Sequence, residues 1–138
     1  MKIEVWSDYA CPFCYIGEKR LQRALNELGN DIEVEFKSFE LDPNASKEVI
    51  SSTAERFAEK YGLSLENATK RIEAISLMGR NDGIDFKYLT TRYTNTFDAL
   101  RLTKYAQSLG HDEIITKLLK NFSTRILQKI LNLLTTKF

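Results

Sequence analysis

Proline and cysteine are the scarce residues of this chain: there are two of each, with one histidine and one tryptophan, in 138 residues. Two cysteines cannot make a disulfide framework, so a disulfide-stapled secreted miniprotein is excluded. A third sulfur ligand and a second imidazole are also missing, and His111, the single histidine, lies about a hundred residues from the cysteines, so no zinc site is expected. No apolar run approaches the roughly 20 residues that span a bilayer, and the start, MKIEVWSDYAC, lacks the basic then apolar pattern of a secretion signal. Charge of one sign is lacking as well. Twenty Lys and Arg against nineteen Asp and Glu leave +1, a field that favours neither nucleic acid nor an anionic membrane. Internal repeats and low-complexity tracts are absent. What remains is a cytoplasmic protein, 43% apolar, rich enough in core formers to fold without staples.

Periodicity then orders the chain. Ile3 and Val5 alternate with Lys2 and Glu4, giving a short strand to about Ser7. Leu21, Ala24, Leu25 and Leu28 recur at helical spacing, with Pro12 suited to a first helical position and Gly29 to a stop. Ile32, Val34 and Phe36 alternate again before Asp42, Pro43 and Asn44 end the run. Strand, helix and strand in so short a span form a crossover unit with parallel strands.

Beyond Pro43 the pattern is helical. One helix is expected over Thr53 to Tyr61, closed by Gly62, and a second after a Ser64 cap, closed by Gly79. Thr94 or Asn95 opens a third, with Ala99, Leu102, Ala106 and Leu109 as its apolar stripe and Gly110 as its end. From Asp112 to Phe138 no Gly or Pro intervenes, and a face running from Ile115 to Leu134 predicts one helix on the order of 35 Å long. The domain organisation is read as residues 1–44 for the strand-helix-strand unit and 45–138 for the helices.

Both cysteines fall within CPFC, residues 11 to 14, directly after the first strand and at the start of the first helix. Three residues apart across a helix start, Cys11 and Cys14 emerge on one face within disulfide range. Cys11 falls at the cap, where unpaired amide donors and the positive end of the helix dipole favour a thiolate. That makes Cys11 the expected nucleophile and Cys14 the resolving thiol, one turn further in. Asp8, just upstream, opposes ionisation if it comes close. Pro12 and Phe13 position the motif. Tyr9, Phe13 and Tyr15 offer an apolar docking surface for an unfolded substrate, or else are core. Asn95 and Asp98 are read as a helix start, His111 as a surface residue, and the basic tail of Lys120, Arg125, Lys129 and Lys137 as a solvated face.

The segments SDYACPFCYIG, KYGLSLENA and NTFDALRL, in that order, resemble the DsbA-like members of the thioredoxin-fold oxidoreductases, and the FrnE-like branch in particular. The resemblance implies a partial thioredoxin-like α/β fold interrupted by a helical insertion. It also implies thiol-disulfide exchange through Cys11 and Cys14, with no metal or organic cofactor, on a protein or small-molecule thiol or disulfide. Two departures stand out. Leu100 occupies a position where the branch usually has histidine, and neither Pro12 nor Pro43 can be the cis-proline that precedes a later strand in relatives. From about Asn121 the sequence no longer follows the family, which suggests a truncation or a shifted reading frame. Exposed strand edges and the apolar last helix point to a homodimer. A catalytically impaired remnant that survives as a dimerising helical module is the alternative. A glutathione-dependent isomerase ranks last, since such relatives usually carry serine at the position of Cys11.

Overall fold

A computed structural model describes residues 1–29 and 31–110. The last helix, its Asp112 cap, His111 and the basic tail therefore lie outside the described residues. Strand β1 (Lys2–Ser7) leads through the motif turn into helix α1 (Pro12–Leu28), and β2 (Glu33–Ser38) returns beside β1. The strands are parallel, with Ile3 opposite Val34 and Val5 opposite Phe36, as the alternation required. Helices α2 (Thr53–Tyr61) and α3 (Leu65–Asn81), a 3-10 turn at Tyr88–Thr90 and helix α4 (Phe97–Ser108) follow. This is a thioredoxin-like α/β arrangement in which a helical insertion follows the strand-helix-strand unit.

The helix starts follow from local chemistry. Ser52 caps α2 through a reciprocal box, its hydroxyl accepting from Glu55 N–H while the Glu55 carboxylate accepts from Ser52 N–H. Ser64 caps α3 by accepting from Asn67 N–H at 3.2 Å. Gly62, at φ 62°, closes α2 in the left-handed conformation that a side chain resists.

Three expectations need correction. Helix α3 does not stop at Gly79 but runs on to Asn81, and the chain turns at Asp82 and Gly83 (φ 77°). Gly79 is there for packing: a Cβ on it would stand 2.7 Å from Cδ1 of Phe86 and 2.9 Å from its Cβ. The buried face of α4 is Leu100, Thr103 and Ala106 rather than the stripe through Leu102 and Leu109. Thr103 can turn inward because its hydroxyl is paired with the Tyr9 hydroxyl and with the Ala99 carbonyl. The start of α4 also falls slightly later than expected. Thr96 is the cap residue, and the Asn95 side chain accepts from Phe97 N–H at 2.9 Å.

The core joins the two parts of the chain. Tyr15 and Ile16 from the first turns of α1 pack with Ile75 of α3 and with Ile84 and Phe86 of the following loop, and Phe57 and Tyr88 cover that cluster. Arg20 and Arg23, further along α1, both reach Asp82 at the end of α3. Among the described residues no helix is long and apolar enough to cross a membrane.

Gly79→Ala is expected to destabilise the fold by about 1–3 kcal/mol, the usual cost of forcing a methyl group into a filled core. Chemical denaturation of the two proteins checks this, and the same Gly79→Ala change should cost less when made in a Phe86→Ala background, where the ring is gone.

Candidate active site

The motif sits where β1 hands the chain to α1. Asp8, 2% exposed, governs the turn: one carboxylate oxygen accepts from Ala10 N–H at 3.3 Å and the other from Leu41 N–H at 2.8 Å. Its carbonyl accepts from Cys11 N–H at 3.2 Å. Cys11 is thereby set as the cap of α1, with extended backbone (φ −96°, ψ 111°), and Pro12 takes the first helical position, where a missing N–H costs nothing. The Cys11 sulfur accepts from Cys14 N–H at 3.3 Å, the bond that a serine or aspartate cap would make. Both thiols are free and half-buried.

The two sulfurs titrate together. Hydrogen bonding from the Cys11 thiol supports a thiolate on Cys14 and lowers it to about 6, against a desolvation cost. The Asp8 amide and the Ser7 hydroxyl add to the stabilisation of Cys14, while the Asp8 charge opposes it, as anticipated for a carboxylate that comes close. The same contact, followed by burial, holds the proton of Cys11 far above the ordinary thiol range, and the Cys14 and Phe13 amides pull the other way. The contact between the two sulfurs thus favours one thiolate within the pair. The spacing announced the helix dipole, but the hydroxyl and amide at the end of β1 are visible only once the strand is in place. The protonation steps belong to the pair rather than to either sulfur.

The aromatic residues divide. Phe13 is 53% exposed, beside the thiols. Tyr9 and Tyr15 are buried and cannot form a docking surface. Tyr9 turns inward to the hydroxyl of Thr103, and Tyr15 packs against Phe86 with the rings tilted at 57° and their centroids 6.1 Å apart. Leu100 is buried too, lining a small cleft with Tyr9, Thr103, Ser7 and Phe36.

The insertion supplies residues that periodicity did not reveal. Tyr88 stacks on Phe86 (5.8 Å, 6°) and stands in the electrostatic field of both Arg56 and Cys11; burial pushes its hydroxyl up, and Arg56 pulls it back. The guanidinium of Arg56 lies 3.1 Å from the centre of the Tyr93 ring and 3.4 Å from an Asp42 oxygen, to which the Tyr93 hydroxyl also donates. Burial pushes Tyr93 up to about 12, with Arg56 working against it. Among the described residues no three or more His, Cys, Asp or Glu side chains converge as metal ligands would.

A cysteine pair opening a helix after a parallel strand, with a helical insertion folded against it, defines a DsbA-type thioredoxin architecture. The chain matches the DSBA-like thioredoxin domain family over residues 2–130 and belongs to it. It is similar to the crystal structure of a probable DsbA oxidoreductase from Streptomyces coelicolor, at 33% identity and a TM-score of 0.77, over 88% of this chain and 52% of that one. It is also 45% identical over 47 residues to the uncharacterized protein YwbO of Bacillus subtilis, a match covering 34% of this chain and 22% of that protein. The chain thus spans about half the length of the solved relative.

Alkylation by iodoacetamide should rise through an inflection near pH 6, because a thiolate that forms at about 6 is present above that pH and lost below it. Peptide mapping of the first label assigns the sulfur. An inflection at the ordinary thiol value near 8.5 would mean that the site does not stabilise a thiolate.

Proposed function

We propose that the protein is a thiol-disulfide oxidoreductase that works through Cys11 and Cys14, with no metal or organic cofactor. The observation that carries this reading is the pair of free cysteines at the cap of α1, where the Cys11 sulfur accepts from Cys14 N–H. In the reducing direction Cys11 gives its proton to Cys14 and attacks one sulfur of a substrate disulfide. A Cys11–substrate disulfide forms, and the second substrate sulfur leaves as a thiolate. Cys14 then loses the proton and attacks the Cys11 sulfur, which releases the other substrate thiolate. The substrate gains two electrons, the protein pair loses them as a Cys11–Cys14 disulfide, and the reverse sequence oxidises a dithiol.

Cys11 is the attacking atom because the helix cap steadies its anion with the Cys14 and Phe13 amides, while Cys14 is the base that first holds the charge. Phe13, exposed beside the sulfurs, is the docking contact for an apolar stretch of a protein substrate. The compartment is the cytoplasm, where small thiols recycle the pair.

A homodimer is part of the same proposal. Trp6 is 60% exposed, and Phe39 and Leu41, just past β2, are about half exposed. Apolar residues around two short strands are better covered by a second copy than left in water.

Cys11→Ser is expected to abolish reduction of insulin by dithiothreitol-coupled turnover, and Cys14→Ser to trap a mixed disulfide with substrate. Full activity in Cys11→Ser would refute the assignment. Light scattering across a dilution series should give twice the chain mass at the concentrated end; a monomer mass throughout would remove the dimer.

A further inference from the structure

The proposed exchange leaves one proton to be placed. In the first displacement Cys14 takes it from Cys11. In the second, Cys11 is bonded to substrate through its sulfur and is no longer a base, so Cys14 must give the proton to another group before it attacks. Besides Cys11, the Asp8 amide and the Ser7 hydroxyl meet the Cys14 sulfur. An amide N–H only donates, whereas a hydroxyl accepts and donates at once.

The hydroxyl has an outlet. Ser7 ends β1, pairs across the sheet with Ser38, and is pinned there by the bond from Phe39 N–H to its carbonyl at 3.0 Å. Both serines line a cleft between the sheet and α4, together with Tyr9, Phe36, Leu100 and Thr103. Its free volume of about 20 Å³ holds a single water, and the hydroxyl-bearing residues around it supply the polar partners that such a water needs.

The titratable groups along this path are poor acceptors. Asp8 has both carboxylate oxygens taken by the Ala10 and Leu41 amides, so a proton placed there would face an N–H. The Tyr9 hydroxyl is paired with Thr103, and burial keeps its proton on. Lys37, which also lines the cleft, is held as an ammonium by Glu35 and Glu4. Glu18, one turn past Cys14 on α1, is the rival acceptor that an experiment must separate from Ser7.

We propose that Ser7 is the proton relay of the resolving step, passing the Cys14 proton through its hydroxyl to water in the cleft between the sheet and α4. This deepens the exchange reading above and rests on it. The Ser7 oxygen accepts the proton of the Cys14 thiol as the hydroxyl's own hydrogen passes to the water, which carries it to solvent. The sulfur keeps its electron pair, and the Ser7 hydroxyl donates to the thiolate it has formed. That thiolate attacks the Cys11 sulfur, the Cys11–Cys14 bond forms, and the Cys11–substrate bond breaks with its electron pair leaving on the substrate thiolate.

Rapid mixing of the reduced full chain with an equimolar amount of 4,4′-dithiodipyridine reads the two displacements separately. The first thiopyridone leaves as Cys11 attacks, at a rate proportional to concentration, and the second leaves as Cys14 closes the pair, at a rate independent of it. Ser7→Ala is expected to slow the second release roughly tenfold at neutral pH and to leave the first little changed; the loss stays below the usual range for acid-base groups because water can enter the space left by the hydroxyl. Ser7→Thr, which keeps a hydroxyl, should keep the second rate, Glu18→Gln should leave both rates in place, and Ser38→Val, which narrows the cleft, should slow the second. Imidazole, a small base, should speed the second release in Ser7→Ala and do nothing for wild type, whereas a hydroxyl that merely held the sulfur would leave a deficit that added base does not repair. An unchanged second release in Ser7→Ala or Ser38→Val, equal slowing of both releases, a deficit that imidazole leaves in place, or a slowed second release in Glu18→Gln overturns the proposal. If wild type releases no second thiopyridone, the exchange reading falls, and the relay falls with it.

Discussion

A carboxylate at 2% exposure must be satisfied where it lies, and Asp8 is satisfied by two backbone amides from opposite sides of the site, Ala10 in the motif turn and Leu41 past the end of β2. Burying such a group with only one partner is costly, so the turn and the exit from β2 are held in one relative position. The same residue reaches the chemistry by two further routes, its carbonyl to the Cys11 amide and its own amide to the Cys14 sulfur. Displacing Asp8 would shift the cap, the register of the turn and the charge on the pair together. Its negative charge slightly disfavours the thiolate, a penalty smaller than the hydrogen bonds that the fixed backbone supplies.

The insertion is fastened with comparable economy. Its entry and exit meet at Asn95, whose amide donates to the Ser46 carbonyl at 2.8 Å and whose side chain donates to Glu40 and to the Pro43 carbonyl. Thr94 adds a bond to the Lys47 carbonyl at 2.7 Å, and Thr53 bonds to Thr91. A long excursion closed at its stem has paid most of its loop entropy at one place, which leaves α2, α3 and the 84–88 segment to settle by packing on α1. That packing is selective. It buries Tyr15 and Ile16, next to the thiols, while Leu28 at the far end of α1 remains 74% exposed among the described residues. The insertion stabilises the end of α1 where the chemistry lies.

Residues that act on their neighbours were legible in the sequence, and residues that act through space were not. Alternation fixed both strands, Ser64 and Gly62 marked helix ends, and CPFC after a strand announced the pair, because each signal lies within a few residues of its effect. Gly79 misled because a glycine that ends a helix and one that admits a neighbouring ring look alike until Phe86 is in place. The stripe of α4 was misread for a related reason: Thr103 reads as polar until the Tyr9 hydroxyl, 94 residues away, is seen to pair with it. That partner also makes Tyr9 core rather than docking surface. Arg56, Tyr93 and Asp42 left no trace in the pattern, since the Tyr93–Asp42 contact alone joins residues 51 apart.

The division of donors between the two sulfurs suits the proposed exchange. Attack favours a thiolate whose pKa lies near ambient pH, since a more acidic sulfur is ionised but less nucleophilic, and a more basic one is mostly protonated. A lone cysteine meets that compromise with one fixed set of donors. Here the strand end serves Cys14 and the helix cap serves Cys11, so in the proposed exchange the anion can pass from one sulfur to the other while the surrounding dipoles stay in place. Cys11 can then be nucleophile in the first displacement and the attacked, substrate-linked sulfur in the second, with Cys14 passing from base to nucleophile. The backbone that enforces both arrangements is the short turn held by Asp8, which places the demands of catalysis and of folding on the same few hydrogen bonds.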